Sequence, residues 1–310
     1  MADEPHPQLQ PILEMVANAP NFEDVGVEAA REAFEAMAAF SPTFDVYEQY
    51  DTTVAGADGN LDARVYRSGE GERPILVYLH GGGFVVGGLD THDNVCQRLA
   101  AESGWTVVSV DYRLAPEHPF PAPLEDARAA VDAIADDPGA FGGDGTVAVG
   151  GDSAGANLAA GVSLLLRDAA PGVEAPEIAH QLLYYPVCGS PFETYDSRAE
   201  NAEGYFLERT TMEWFSDQYV DSPIHARNGY LAPLLVEDLS GLPSATVVTA
   251  GFDPLRDEGI AYADALADNG VAVEHAHFES VTHGFVSFLG HVDAADEAIG
   301  TGAAGLESVR

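Results

Sequence analysis

A serine lies in a glycine-flanked stretch at residues 151–155, which read Gly-Asp-Ser-Ala-Gly. The pattern G-x-S-x-G, placed between a β-branched strand and a helix, is typical of a nucleophilic serine on a sharp strand-to-helix turn. Flanking glycines are needed because the strand and the helix pass too close for side chains. In a glycine-rich chain an isolated match is weak, since a glycine turn with a helix-capping serine would look the same. Ser153 is therefore a candidate nucleophile that requires a base and an oxyanion stabiliser.

Two residues that come much later in the chain could complete such a site. His283 follows the last predicted strand, and Asp253 follows the strand before it. The chain order Ser, Asp, His is that of α/β-hydrolases, and all three residues fall at the carboxyl ends of predicted strands. We therefore predict a catalytic triad of Ser153, Asp253 and His283. Asp257 is a rival for Asp253, but it should lie inside the following helix and point elsewhere.

A glycine run follows another predicted strand and could supply the oxyanion stabiliser. His80 is followed by Gly81, Gly82 and Gly83, whose amides are unshielded by side chains. Together with the amide of Ala154, they could bind the oxygen that becomes negative when an acyl carbon turns tetrahedral. A phosphate-binding loop is the alternative, but neither Gly-Lys-Ser/Thr nor a G-x-G-x-x-G spacing is present. We expect His80 to be a structural hydrogen-bonding residue of this loop.

Metal and disulfide chemistry find little support in the sequence. His275 and His277 alternate on one face of a predicted strand, but no third ligand is evident nearby, so a structural or surface role is favoured. Cys96 and Cys188 are too few for a disulfide framework. We expect no metal and no cofactor, and two free, partly buried thiols in a reducing compartment.

The elements that must position these residues alternate between short β-branched runs and longer helical ones. This alternation predicts one α/β domain over residues 1–310, with a mostly parallel sheet flanked by helices. An antiparallel hairpin at 45–54 and 61–66 is predicted at the sheet edge, and the proline-rich stretch 112–121 must be a loop. The predicted strands are 75–79, 106–110, 146–149, 180–185, 245–249 and 271–278. The predicted helices are 91–102, 124–135, 154–167, 255–269 and 294–308.

Two segments depart from the alternation. Residues 9–40 predict two short amphipathic helices, with Phe34, Met37 and Phe40 on or near one face. Residues 190–230 are irregular and rich in aromatic and acidic side chains, and an insertion of this length between core strands is often a lid. The alternative is that both segments merely cover apolar sheet surface. We predict a substrate pocket that includes Phe84, Phe206, Leu207 and Trp214.

Several motifs taken together resemble the hormone-sensitive-lipase-like branch of the α/β-hydrolases. The matching stretches are 80–84 (HGGGF), 111–123 (DYRLAPEHPFPAP), 151–157 (GDSAGAN), 185–186 (YP), 253–258 (DPLRDE) and 283–285 (HGF). The resemblance implies a small helical cap, formed here by about residues 1–44 and 190–230, with no metal and no cofactor. It also implies hydrolysis of short- to medium-chain acyl esters. Ala156 is a departure, because the family usually has glycine there.

The charge balance limits the partners of the protein. The chain has 51 acidic residues against 13 basic ones, all arginine, for a formal net charge of −38. Such a surface repels phosphate backbones and acidic lipids, which argues against nucleic-acid binding and membrane attachment. It resembles the surfaces of proteins from salt-loving microbes, so we expect stability to require salt. No export signal or membrane span is visible, which predicts a cytoplasmic protein in a high-salt cytosol.

The sequence therefore predicts a carboxylic-ester hydrolase that acts on small-molecule esters through an acyl-enzyme intermediate. An amidase or deacetylase on the same scaffold remains an alternative, because the triad does not separate esters from activated amides. A non-catalytic small-ligand receptor is an alternative from a different class, although the presence of His283 and Asp253 argues against it. A long-chain lipase is less favoured, since no basic amphipathic helix is present. Homo-oligomerisation is left open.

Overall fold

The computed structural model describes residues 2–38, 41–170, 172–173 and 175–310, and its regular elements alternate along the chain. The strands are β1 (Glu48–Gly56), β2 (Gly59–Arg67), β3 (Arg73–Leu79), β4 (Thr106–Val110), β5 (Gly143–Asp152), β6 (Ile178–Tyr184), β7 (Ser244–Phe252) and β8 (Val273–Thr282). The helices are α1 (Gln10–Ala17), α2 (Phe22–Val25), α3 (Val27–Ala38), α4 (Asp93–Ser103), α5 (Ala122–Asp136), α6 (Ala154–Arg167), α7 (Asp196–Glu200), α8 (Arg209–Tyr219), α9 (Arg256–Asp268) and α10 (Asp293–Glu307).

The strands form an eight-stranded sheet in the order β1-β2-β4-β3-β5-β6-β7-β8. Strands β3 to β8 pair in parallel, whereas β1 and β2 form an antiparallel hairpin that joins the sheet through β4. The predicted parallel α/β sheet with an antiparallel edge is thus confirmed. The carboxyl ends of the parallel strands share one edge, and the loops that follow them therefore meet there.

Helices cover both faces of the sheet, which explains why the central strands are continuously apolar. Alternate residues of β3 belong to different cores: Ile75 and Val77 pack on one face, and Leu76 and Tyr78 pack on the other. Helices α5, α6 and α9 contribute to the first core, and α4 and α10 contribute to the second. The strands that carry the loops are therefore held between two packed layers.

The two segments outside this alternation contain more helix than the sequence predicts. The described part of residues 9–40 holds three helices instead of two, because Gly26, with a φ of 82°, ends α2 before α3 begins. The predicted irregular segment 190–230 contains α7 and α8, and Trp214 and Phe215 of α8 pack against Phe22 of α2. Phe40, expected on the same face as Phe34, lies outside the described residues. None of the described helices combines the length and the apolarity needed to cross a bilayer.

Candidate active site

Ser153 occupies a strained turn between β5 and α6. Its backbone has a φ of 53° and a ψ of −117°, a left-handed conformation that costs energy for a residue with a side chain. Close packing against β3 forces this geometry: a Cβ added at Gly151 or Gly155 would lie 2.2 or 1.8 Å from the carbonyl oxygen of Leu79. Glycine at both positions therefore lets the strand and the helix approach each other and raises the serine between them.

The side chains of His283 and Asp253 lie in line with this serine. His283 Nε2 is 2.9 Å from Ser153 Oγ, and His283 Nδ1 is 2.8 Å from Asp253 Oδ2. Asp253 is fully buried, and its second oxygen accepts a hydrogen bond of 2.7 Å from the Leu255 amide. A carboxylate only accepts, so Nδ1 carries the ring proton and Nε2 is left to accept from the serine hydroxyl. This is the arrangement of an activated nucleophile.

Asp257, the sequence-level rival of Asp253, is directed elsewhere. It lies in the first turn of α9, accepts 2.8 Å hydrogen bonds from the Ser197 amide and from Arg256 Nε, and makes no contact with His283 among its hydrogen bonds. Because Asp257 is inside the helix, its side chain points away from the loop between β7 and α9 that carries Asp253. Asp257 therefore binds the segment before α8 to α9.

The glycine loop after β3 has a different donor set from the one that the sequence predicts. The Gly81 amide donates a 3.0 Å hydrogen bond to Asp152 Oδ1, so this amide is occupied. The amides of Gly82, Gly83 and Ala154 donate to no acceptor within the described part of the chain. Ala154 is also the first residue of α6, where the helix dipole favours negative charge. Three of the four predicted donors are thus available to an oxyanion.

His80 supports the glycine loop through a ring stack and hydrogen bonds. Its ring stacks on Tyr112 with the centroids 4.3 Å apart, and Nδ1 is 2.8 Å from the Gly81 carbonyl oxygen. The Tyr112 hydroxyl donates a 2.6 Å hydrogen bond to the His80 carbonyl. Burial, together with the nearby His92, lowers the pKa of His80 to about 4, so the ring is neutral near pH 7. Its contacts are those of a structural residue.

A cavity of about 1260 Å³ opens onto Ser153 and His283. Of the predicted pocket residues, Phe84, Phe206 and Leu207 line it, and Phe84 stacks on Tyr219 with centroids 3.8 Å apart. Trp214 is not among the lining residues, contrary to the prediction; its ring packs against Phe22 of α2, with the centroids 6.4 Å apart.

Helix α8 also supplies cavity residues that the sequence analysis missed. Among them are Met212, Phe215, Ser216 and Tyr219. Their spacing of three, four and seven residues is the helical periodicity that could have revealed them.

Neither the histidine pair nor the cysteines form a metal site. Thr249 Oγ1 is 2.9 Å from both His275 Nε2 and His277 Nδ1, so the two rings share a hydroxyl partner on β7. Cys96 and Cys188 are buried and unbridged. Throughout residues 2–38, 41–170, 172–173 and 175–310, no three His, Cys, Asp or Glu side chains are grouped so as to hold a metal ion.

A family model described as alpha/beta hydrolase fold matches residues 76–287, which contain the serine turn, the glycine loop and the histidine. The chain belongs to this family. The resemblance drawn from the motifs is thereby confirmed, and the sheet and turn described above are this family's fold in the present chain. Ala156, the one departure noted in the motif, is fully buried in α6.

Individual relatives in the alpha/beta hydrolase fold family match most or nearly all of the chain. The esterase LipI of Mycobacterium tuberculosis is 39% identical over 317 residues, which cover 99% of this chain and 97% of LipI. An ethyl acetate hydrolase of Pseudomonas putida is 37% identical over 80% of this chain and 79% of its own length. A solved structure of a hyperthermophilic esterase from the archaeon Pyrobaculum calidifontis superimposes with a TM-score of 0.92 at 42% identity, covering 98% of each chain.

Proposed function

We propose that this protein hydrolyses carboxylic esters by nucleophilic catalysis, with Ser153 as the nucleophile, His283 as the general base and acid, and Asp253 as the residue that orients His283. The observation that carries the proposal is the continuous hydrogen-bonded line from Ser153 Oγ through the imidazole to Asp253, with 2.9 and 2.8 Å separations. The names of the relatives, an esterase and an ethyl acetate hydrolase among them, support the ester class.

The reaction follows from the protonation states of these groups. His283 Nε2 accepts the Ser153 proton as Oγ attacks the ester carbonyl, and the resulting oxyanion accepts hydrogen bonds from the Gly82, Gly83 and Ala154 amides. The imidazolium then donates its proton to the departing alcohol as the tetrahedral intermediate collapses to an acyl-serine. Water enters, gives its proton to Nε2 and attacks the acyl carbon; the proton returns to Ser153 as the carboxylic acid leaves.

The cavity supports small to medium acyl esters as the substrates. Its walls are largely apolar and include Phe84, Phe206 and Leu207, together with Ile12 and Met15 of α1. Apolar walls bind acyl chains by burying their methylene groups, at roughly 0.8 kcal/mol for each CH₂. The cavity volume of about 1260 Å³ can enclose more than an acetyl group.

We further propose that about residues 1–44 and 190–230 act as the cap of this single-domain enzyme. Phe22 of α2 lies 6.1 Å from the Phe215 ring of α8, centroid to centroid, so the two segments pack on each other above the site. Gly83 touches the same ring, because a Cβ there would lie 2.2 Å from Phe215. The cap segments therefore bound both the cavity and the glycine loop.

The acidic surface supports a location in a high-salt cytosol and a small-molecule rather than a nucleic-acid partner. A net charge of −38 is compatible with high solubility at molar salt and unfavourable for polyanion binding. This setting is part of the proposal, and a homo-oligomer is compatible with it.

Replacement of the nucleophile tests the proposed function. Ser153→Ala should lower kcat for nitrophenyl acetate by about 10⁴-fold or more, since subtilisin-type serine variants lose roughly that much or more. It should leave the Tm nearly unchanged, because the lost hydroxyl is not part of the packed core. Labelling by a fluorophosphonate should occur in the unsubstituted protein and vanish in the variant. Full activity in Ser153→Ala would overturn the assignment, and faster hydrolysis of matched nitroanilides than of esters would favour an amidase.

A further inference from the structure

Arg31 of α3 reaches from the proposed cap to the loops around the active site. Its Nε donates a 2.8 Å hydrogen bond to the Val85 carbonyl, and its Nη2 donates a 2.9 Å hydrogen bond to the Ala115 carbonyl. The two terminal nitrogens also bind the Glu117 carboxylate, at 2.9 and 2.7 Å. One side chain of the cap therefore joins the segment after the glycine loop to the proline-rich loop.

The Val85 carbonyl belongs to the turn that contains the oxyanion glycines. The amides of Val85 and Val86 donate to the Gly82 carbonyl at 3.1 and 3.0 Å, so residues 82–86 form a closed turn. Gly82 and Gly83 supply two of the three amides that are assigned to the oxyanion. Because the hydrogen bonds of such a turn fix its central dihedral angles, a displacement of Val85 also displaces the two glycines.

Phe84, inside this turn, has a backbone conformation that needs support from outside. Its φ is 66°, in the left-handed region that residues with a side chain disfavour. Such a conformation costs about 1–3 kcal/mol and persists only where the surrounding structure holds it. The Phe84 carbonyl accepts the Ala115 amide at 2.8 Å, and Arg31 binds the carbonyls of Ala115 and Val85. Arg31 therefore strengthens the contact that holds Phe84 in this conformation.

The two carbonyl contacts of Arg31 should contribute more than its ion pair. Val85 and Ala115 are fully buried, and a buried carbonyl left without a donor costs about 1–3 kcal/mol. The side chains of Arg31 and Glu117 are 28% and 54% exposed, so their ion pair contributes at most about 1 kcal/mol. Loss of the guanidinium should therefore disturb the loops, whereas loss of the Glu117 charge should not.

We propose that Arg31 is a positioning residue for ester hydrolysis: it ties α3 to the turn at 82–86 and so holds the two glycine amides where the oxyanion forms. The same helix lines the cavity with Phe34 and Met37. Helix α3 is thus joined to the oxyanion loop as well as to the cavity wall.

These two connections of α3 have different kinetic signatures. Misplaced oxyanion amides bind the transition state less well, so they lower kcat to the same extent for short and long acyl chains. A displaced cavity wall weakens binding of the acyl chain, so it raises KM, and more for longer chains. The dependence on chain length therefore separates positioning of the amides from a structural role in the wall.

Arg31→Met tests the inference, which rests on the proposed function. Methionine occupies part of the same space and donates no hydrogen bond, so both carbonyls lose their donor. With KM little changed, kcat should fall by about 10-fold for nitrophenyl acetate and nitrophenyl hexanoate alike, less than the roughly 10²–10³-fold lost with a whole oxyanion donor. Glu117→Gln is the matched control: it removes the ion pair, leaves both carbonyl contacts and should keep kcat within about 2-fold.

Three outcomes would overturn the inference. They are an unchanged kcat in Arg31→Met, even with a lower Tm; an equal loss of kcat in Glu117→Gln; and a loss confined to KM that grows with acyl-chain length. If Arg31→Met does not fold, Arg31→Lys takes its place, because it keeps a charge beside Glu117 while its single nitrogen does not reproduce the fork that reaches both carbonyls. In that variant kcat should fall by at least about 3-fold, and full kcat would contradict the inference.

Fluorophosphonate labelling of the unsubstituted protein separates the inference from the proposed function. A protein that is not labelled refutes the proposed function. A labelled protein whose kcat is unaffected by Arg31→Met refutes only the role of Arg31.

Discussion

At the scale of single residues, two aspartates four positions apart have opposite roles. Asp253 is fully buried and bonded to His283, whereas Asp257 binds the Ser197 amide. Both match the same stretch of the family motif, so residue type does not distinguish them. Their position relative to the end of β7 distinguishes the two aspartates, because Asp253 follows the strand directly while Asp257 is already inside α9.

Substitution of each aspartate in turn should have very different effects on kcat. Asp253→Asn should lower kcat by about 10³- to 10⁴-fold, because an amide can donate to Nδ1 and so favour the tautomer that cannot accept the serine proton. Asp257→Asn is the matched control and should retain most of its activity. Steady-state hydrolysis of nitrophenyl acetate measures both, and comparable losses would show that the orienting residue has been misassigned.

Buried neutral histidines should make stability depend on pH. Burial lowers the pKa of His180 to about 4 from an ordinary value of 6.5. Between these values the unfolded chain binds a proton that the folded chain does not, so stability rises with pH through this window and is lost as the pH falls. From pH 7 to pH 5 the loss due to His180 should be about 2 kcal/mol.

Denaturant unfolding at constant salt measures this loss. His180→Gln should show a correspondingly shallower pH dependence than the unsubstituted protein. Identical slopes for the two proteins would mean that His180 is not a buried neutral base.

At the scale of elements, α7 fastens the segment before α8 to the loop that carries Asp253. Ser197 Oγ donates to the Pro254 carbonyl at 2.8 Å, and Asn201 donates to the Asp253 carbonyl at 3.1 Å. Arg198 forms an ion pair of 2.5 Å with Glu258, whose side chain is fully buried and also accepts the Cys188 amide. A helix of the proposed cap therefore supports the triad through α9.

Removal of one partner of this ion pair should be strongly destabilising. Arg198→Met leaves Glu258 buried without its cation and should lower the free energy of unfolding by about 3 kcal/mol. Adding Glu258→Gln should recover much of the loss, because the uncompensated charge is then gone. Denaturant unfolding of the single and double variants measures both steps.

An exposed ion pair provides the control. Arg209 and Glu213 are 3.7 Å apart with both side chains more than half exposed, so Arg209→Met should change stability by less than about 0.5 kcal/mol. If Arg198→Met is as mild as Arg209→Met, α7 does not dock through a buried charge pair.

At the scale of the whole molecule, the acidic surface dominates. Most arginines already pair with carboxylates, as Arg64 does with Asp51, Asp90 and Asp93, and the acidic excess of the chain still leaves a net charge of −38. Self-repulsion among the remaining carboxylates disfavours the compact state unless ions screen it. The screening length falls from about 10 Å at 0.1 M salt to about 3 Å at 1 M.

Stability should therefore rise with salt. Between 0.1 and 2 M KCl we expect the Tm to increase by at least about 5 °C, measured by differential scanning fluorimetry. Sucrose at matched osmolality is the control, because it is excluded from protein surfaces but screens no charge. Equal melting temperatures in dilute and molar KCl would contradict a salt-adapted surface.

The sequence alone determined the fold and the convergence of Ser153, Asp253 and His283. Strand periodicity predicted a parallel sheet, and the three residues follow strands whose carboxyl ends must share an edge. Local sequence was sufficient for these two predictions, because each motif contains the turn that follows its strand. The boundaries of α6, Ala154–Arg167, follow directly from the glycines and the apolar run around them.

Only the tertiary structure decided which groups remain free to act. The Gly81 amide is occupied by Asp152, which is 71 residues away along the chain, and Trp214 packs on Phe22 and is absent from the cavity lining. The hydrogen bond from Arg31 to the Val85 carbonyl likewise spans 54 residues. Local periodicity does not encode such contacts, because they depend on how separate elements are oriented once packed, and a hydrogen bond tolerates errors of only a few tenths of an ångström.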